Sequence, residues 1–441
     1  MNVRSLFSFL FTALICSVIC LVLYSFFKDM DPPEIVLTPN TDRIAPQREL
    51  ALRLTDPSGM RSVSVQVRKN NQIQTILEQY FSDKPRMAEV KFTLKSANLR
   101  EGAFDLEIKA TDASWAGFGR GNTRTLTLPM RLDTQPPRVS MKHAPPHVRR
   151  GGCGSILYSV NKEVYASGVR VGEHFFPGYR QESGAYFCVF AFPQHLDAKQ
   201  YNPELMVEDV AGNISVNRLA VVPVTVNFRR DVINITDNFL LTKMPELQHL
   251  VGNAATPLEQ YLLISRDIRA ANEKTLLELK TKTADAMLWS GPFIHLPRAA
   301  ERARFGDFRT YMYQGQKIDE QTHMGLDLAS LTRSDIPAAN DGLVVFAGFL
   351  GIYGNVVVVD HGQGLMSLYS HMSQIGVSVG NTVQKGQILG QTGTTGLALG
   401  DHLHFGILMQ GLEVQPLEWL DPKWIRDNIV GRMKMPATPM R

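Results

Sequence analysis

The sequence predicts a mainly β, multidomain protein: an N-terminal apolar helix, two β-sandwiches, a helical connector and a C-terminal all-β domain. Three patterns lead there. Segment 5–27 carries no charge, residues 34–228 run in short stretches of alternating polarity, and the chain after about 305 is rich in short apolar runs and glycine. At 441 residues the chain is too long for one core, and roughly 100–200 residues per domain suggests about three domains. Charged residues are 20% and hydrophobic residues 44%, which fits folded protein and argues against long disorder. The net charge of +4 is mildly basic, but no long Lys/Arg run interleaves with aromatics, so nucleic acid is not an expected partner.

Taken in order, residues 1–4 read as a cytoplasmic N-terminus and 5–27 as a transmembrane anchor. At about 1.5 Å per residue that segment is long enough to cross a hydrocarbon core of roughly 30 Å. Arg4 precedes it, so the positive-inside tendency predicts a single pass through the inner (cytoplasmic) membrane, with residues after about 28 on the periplasmic or extracytoplasmic side. The end Tyr24-Ser25-Phe26-Phe27 lacks small residues at signal-cleavage spacing, which favours an uncleaved anchor. Cys16 and Cys20 lie inside the span, while Cys153 and Cys188 lie beyond it. In an oxidising compartment that outer pair is expected to form a disulfide, stabilising its module by roughly 3–4 kcal/mol in the chain-entropy model.

Residues 31–132 and 133–228 are each expected to form a sandwich. Segments such as Ser62-Val63-Ser64-Val65-Gln66-Val67 alternate with period two, and Asp133-Thr134-Gln135-Pro136-Pro137 echoes Asp31-Pro32-Pro33 as a weak internal repeat. The turns at Ala110-Thr111-Asp112-Ala113-Ser114 and Asp209-Val210-Ala211-Gly212-Asn213 resemble those of bacterial immunoglobulin-like repeats in surface and envelope proteins. That resemblance implies architecture and no chemistry.

Residues 229–300 read as a helical connector. Thr256-Pro257-Leu258-Glu259 has an N-cap, a proline at the first helical position and a capping-box acid. Leu258, Tyr261, Leu262, Ile268 and Ala271 then fall on one face, with Arg266, Arg269 and Glu273 elsewhere. Such a helix docks on its neighbouring domain, or alternatively blocks or recruits at a groove there. Residues 301–425 form the C-terminal β domain and 426–441 a tail. Gly380, Gly386, Gly390, Gly393, Gly396 and Gly400 read as turn glycines, because no Gly-Lys-Ser/Thr follows and no helix pattern opens after them.

The candidate chemistry rests on five residues: His323 and Asp327, His371, and His402 with His404. Residues two apart on a strand share a face, so His402 and His404 can project into one groove while Leu403 and Phe405 take the other side. His323 and Asp327 suit one face of a strand or a short loop leading into one, and Gly325 between them permits close approach of backbones. A catalytic zinc site keeps three protein ligands and a position for water, whose pKa falls to about 7. Two imidazoles and a carboxylate fill the ligand role and leave two histidines for proton transfer. Spacing alone leaves open which of the five hold metal. Asp401 reads as a turn acid, His361 as a hairpin-turn residue, and the remaining histidines show no ligand spacing.

The run from about Phe305 to Asp421 resembles the lysostaphin-type (LytM-like) zinc metallopeptidases that act on bacterial peptidoglycan. The matching residues are His323, Gly325 and Asp327 for His-x-Gly-x-Asp, Tyr369 with His371 for Tyr-x-His, and His402 with His404 for His-x-His. The resemblance implies a lysostaphin-like all-β fold, one zinc ion held by His323, Asp327 and His404, and His371 and His402 as general base and transition-state stabiliser. Together with the anchor read from 5–27, it points to a membrane-anchored endopeptidase cutting peptide cross-links of peptidoglycan, with an unidentified protein regulator as an open partner. Some relatives have lost ligands and serve as activators of other wall hydrolases, so a non-catalytic envelope scaffold or activator is the alternative. A third reading keeps the enzyme and changes the substrate to proteins, including glycine-rich ones.

Overall fold

The computed structural model describes residues 3–27, 29–70, 72–252 and 256–433, and within the first helix the side chains at 9–22 and 24. The chain is mainly β and divides into two compact units: Met1–Arg138 with Asn161–Tyr165 and Val207–Ser215, and the remainder to Arg441.

In the first unit the helix Val3–Phe27 covers the expected 5–27 span. Among the described residues no helix is long and apolar enough to cross a membrane. The side chains at 5–8, 23 and 25–27 lie outside the described set, so the anchor expectation falls partly beyond it. Residues 34–132 then form two sheets, an antiparallel one of three strands and one of five that is antiparallel except for the short edge strand Arg43–Ile44, which pairs in parallel with Thr123–Leu132. Leu50, Leu52 and Leu54 of the smaller sheet meet Val63, Val65, Val67, Leu106 and Ile108 of the larger in one core. The alternation read from Ser62 to Val67 is the buried face of Met60–Lys69. Each such side chain contributes roughly 1.5–3 kcal/mol on burial.

The 133–228 segment is likewise built of strands, but the expected disulfide is absent. Cys153 and Cys188 are both buried free thiols. Their strands Cys153–Val160 and Tyr186–Ala191 do pair, with Cys153 opposite Ala191 and Cys188 opposite Ile156. The offset is three residues, about 10 Å at strand rise, and an odd offset sends the two side chains to opposite faces.

The connector differs from a purely helical link. It opens with a strand, Arg230–Ile235, that pairs in parallel with Phe308–Tyr313 of the C-terminal domain. Thr236 then caps the helix Asp237–Leu247. The expected capping box is present, Thr256 and Glu259 each bonding the other's backbone N–H, and it starts Pro257–Leu263. A π-turn at Ile264–Ile268 leads into Arg269–Glu278. Tyr261, Ile264, Leu276 and Leu240 of this region share one core cluster with Val356, Val358, Leu368 and Leu408. The connector is therefore part of the C-terminal core and not a spacer.

That core centres on an antiparallel sheet in the order Ala300–Ala303, Leu326–Ala329, Leu403–Met409, Leu365–Met372, Asn355–Asp360, Gly342–Phe349, Thr382–Val383. Leu365–Met372 and Leu403–Met409 are buried at every position, as central strands covered on both faces must be. The expected tail at 426–441 begins as ordered helix: Arg426–Val430 and Gly431–Met433 dock on Cys153–Val160, with Ile429 buried and the Arg432 guanidinium bonding the Ser155 carbonyl at 3.3 Å. Residues 434–441 lie outside the described set.

Candidate metal centre

The sheet register assembles the site. Asp327 on Leu326–Ala329 pairs with His404 on Leu403–Met409, and His404 pairs on its other side with Ser370. His323 lies in the loop that leads into the Asp327 strand. His323 Nε2, Asp327 Oδ1 and His404 Nδ1 converge at mutual distances of 2.9, 2.9 and 3.0 Å. All five sequence-identified residues line one cavity of about 500 Å³. His371 and His402 stand beside the cluster, ring centroids 4.8 Å apart, and His402 Nε2 is 3.5 Å from Asp327 Oδ1.

Three of the four rings are oriented from behind. The Nδ1–H groups of His323, His371 and His402 donate to the carbonyls of Arg304, Thr395 and Gly400 at 2.9, 2.8 and 2.7 Å. A carbonyl only accepts, so these bonds leave Nε2 of the neutral ring with its lone pair facing the groove. His404 is turned the other way. Its Nδ1 faces the cluster, while Nε2 is buried without a partner beside Gly325. A Cβ at residue 325 would stand 2.6 Å from that Nε2, so only glycine lets the His404 ring sit here.

Three lone-pair atoms at about 3 Å repel one another unless a cation or a shared proton lies among them. Two imidazole nitrogens and one carboxylate oxygen, with the His323 ring and the Asp327 carboxylate each held by a bond from behind, are the donor set of a catalytic zinc site. His323, Asp327 and His404 therefore fit the metal, and the same three residues form a group able to hold an ion.

The environments pull the ionisable groups apart. Burial alone would raise the Asp327 carboxyl, but the His323 imidazole and bonds from His323, His402 and His404 outweigh it and hold it well below the usual range. Burial followed by repulsion from His402 and His404 pushes His371 well below an ordinary histidine. Burial also lowers His404, to about 4. For His402 burial acts downward too, yet the bond to Asp327 and its charge prevail and raise it.

Sequence reasoning missed Arg309. Its guanidinium donates to Asp327 Oδ2 at 2.9 Å, so one carboxylate oxygen faces the cluster and the other is held. No motif marks it, because it reaches Asp327 from the neighbouring sheet. His361, read as a hairpin-turn residue, is fully buried away from the groove, bonded to the Asp341 carbonyl and Ser367 Oγ at 2.7 Å each. Asp401 behaves as a turn acid and accepts from Thr392 Oγ1 at 2.6 Å.

Residues 321–416 match Peptidase family M23. The C-terminal part of the chain is an M23 domain. Over 95 residues it is 37% identical to the DD-carboxypeptidase/endopeptidase Mpg of Neisseria meningitidis, 22% of either chain. It is 35% identical over 96 residues, again 22% of each, to the peptidoglycan DD-endopeptidase ShyA of Vibrio cholerae. It is also 37% identical over 110 residues to the murein hydrolase activator EnvC of Escherichia coli, 25% of this chain and 26% of that one. The chain thus matches about a fifth to a quarter of the length of these relatives.

Proposed function

We propose that the protein is a membrane-anchored zinc metalloendopeptidase hydrolysing peptide cross-links of bacterial peptidoglycan. The observation that carries this reading is the convergence of His323 Nε2, Asp327 Oδ1 and His404 Nδ1 within 3.0 Å, beside two further histidines in one groove. Zinc held by those three residues would polarise the scissile carbonyl and lower the pKa of water to about 7.

The chain's own groups do the rest. His371, kept neutral by burial, offers its Nε2 lone pair as general base and takes the proton from the attacking water. His402 is raised by its bond to Asp327 and that carboxylate's charge, and in its protonated form it presents Nε2–H to the oxyanion as the carbonyl becomes tetrahedral. Two groups of one type with pKa values driven apart in one cleft suit an acid and base pair. Arg309 and the Arg304 carbonyl hold the ligands in place.

Anchorage is supported by the charge-free run 5–27, in which the apolar side chains of Phe9, Leu14 and Leu21 are 61–68% exposed. Side chains of that kind call for apolar surroundings. Arg4 on the near side favours an extracytoplasmic M23 domain.

The similarity to an activator favours a second reading, in which the domain recruits another hydrolase. Purified peptidoglycan, digested and resolved by mass spectrometry, separates the two. Under the enzymatic reading His402→Ala keeps zinc but loses at least about 100-fold in turnover, and His404→Ala loses zinc as well. Release of no peptide fragments by the zinc-loaded parent would overturn it in favour of the activator.

A further inference from the structure

Next to the metal groove lies a second cavity of about 650 Å³, lined by Arg149, Arg150, Arg229, Arg302 and Arg304. Arg229, Arg302 and Ala303 line both cavities, so the two share a wall. Three of the five guanidinium groups are already engaged. Arg229 pairs with Asp231 and Asp307 at 2.7 Å each, Arg304 pairs with Glu301, and Arg150 donates to the Gln194 carbonyl at 2.6 Å. Arg149 and Arg302 are exposed and form no ion pair among the described residues.

Acids that also line this cavity are spoken for. Glu301 and Asp307 hold Arg304 and Arg229, Glu418 accepts from the Cys153 N–H at 2.8 Å, and Asp421 caps a helix through the Lys423 N–H at 2.8 Å. Arg302 is left without an ion pair, and Arg149 has only the longer-range attraction of Glu418, a carboxyl that burial pushes up to about 8. Arg302 follows directly from the sheet register, being the neighbour of Ala303, which pairs with the ligand Asp327. Elsewhere the metal groove is walled by Ile233, Ile235, Leu397 and Leu399. The groove is thus apolar on one side and cationic towards Arg302. A peptide lying across the metal centre would meet a guanidinium, a planar fork suited to a carboxylate.

We propose that Arg302 and Arg149 form a subsite for a carboxylate-bearing arm of the peptide that occupies the metal groove. The proposal deepens the peptidase reading and rests on it. Its test uses the full zinc-loaded chain and a pair of synthetic cross-linked peptides, one with free side-arm carboxylates and one with those groups as carboxamides. The parent should favour the free acid about tenfold in kcat/KM, through KM, and the preference should shrink as salt rises. In R149Q/R302Q the preference should vanish while the melting temperature holds, since both side chains are exposed. Equal use of the two peptides by the parent, or an undiminished preference in the double variant, overturns the subsite. Calorimetric titration of the same peptides into the His402→Ala chain judges binding apart from turnover. A free-acid preference there that R149Q/R302Q removes supports the subsite even where the parent cleaves neither peptide, and that lack of cleavage would count against the peptidase reading alone.

Discussion

His371 has φ +60°, in the left-handed region that non-glycine residues avoid at a cost of about 1–2 kcal/mol. Its neighbour Ser370 is registered with His404, so regular alternation would send His371 to the opposite face from the cluster. The left-handed backbone breaks that alternation and brings the ring within 4.8 Å of His402. Strain at this position is thus tied to the convergence of the histidines in the groove. Gly325 is the counterpart from the ligand side. Gly325→Ala is expected to displace the His404 ring, and Arg309→Ala to leave Asp327 Oδ2 unheld. Each should weaken zinc binding roughly 10–100-fold in a chelator competition. Parent-like zinc affinity in both variants would remove the roles assigned to these two residues.

Among the elements, the connector departs most from expectation. The apolar face read from Leu258 to Ala271 holds only through the first turns: Tyr261 is buried, but after the π-turn at Ile264–Ile268 burial passes to Asn272 and Leu276, and Ala271 is exposed. A π-turn inserts one residue, and the buried stripe shifts by that residue. Because Leu240, Tyr261 and Leu276 sit in the same cluster as the central strands, Leu240→Ala should destabilise the C-terminal domain by roughly 2–5 kcal/mol, read from chemical denaturation. Thr256→Ala should cost only about 1 kcal/mol, since it removes a cap on an exposed helix end. Equal effects of the two substitutions would show that the helices are docked less tightly than their burial indicates. Deleting 231–283 would strip the core, so it is no test of whether the connector blocks the groove.

At the scale of the whole molecule, buried acids make stability depend on pH. Burial pushes Glu413 from 4.5 to about 8, against the lowering effect of its bond from Tyr353 OH at 2.8 Å. Between those values the folded chain holds a proton that the unfolded chain has released. Stability contributed by Glu413 is therefore full below about 4.5 and is lost as pH rises towards 8. Glu413→Gln can still accept from Tyr353 and does not titrate. Urea unfolding at pH 5 and pH 8 should show a smaller loss of stability in the variant than in the parent, and parallel losses would exclude Glu413 as a source.

The sequence by itself determined the mainly β architecture, because period-two alternation and turn residues are local properties of the chain. It also singled out five residues whose types suit a hydrolytic metal centre, and all five line one cavity. Pairings between distant segments are not local, and there the tertiary structure decided. Cys153 and Cys188 lie on adjacent strands yet three positions out of register, which no spacing rule reveals. Arg230–Ile235 joins the sheet of Phe308–Tyr313, turning an apparent linker into part of the domain. Arg309, the left-handed turn at His371 and the reversed ring of His404 depend on which strands face each other, and it is these contacts that turn five recognisable residues into one centre.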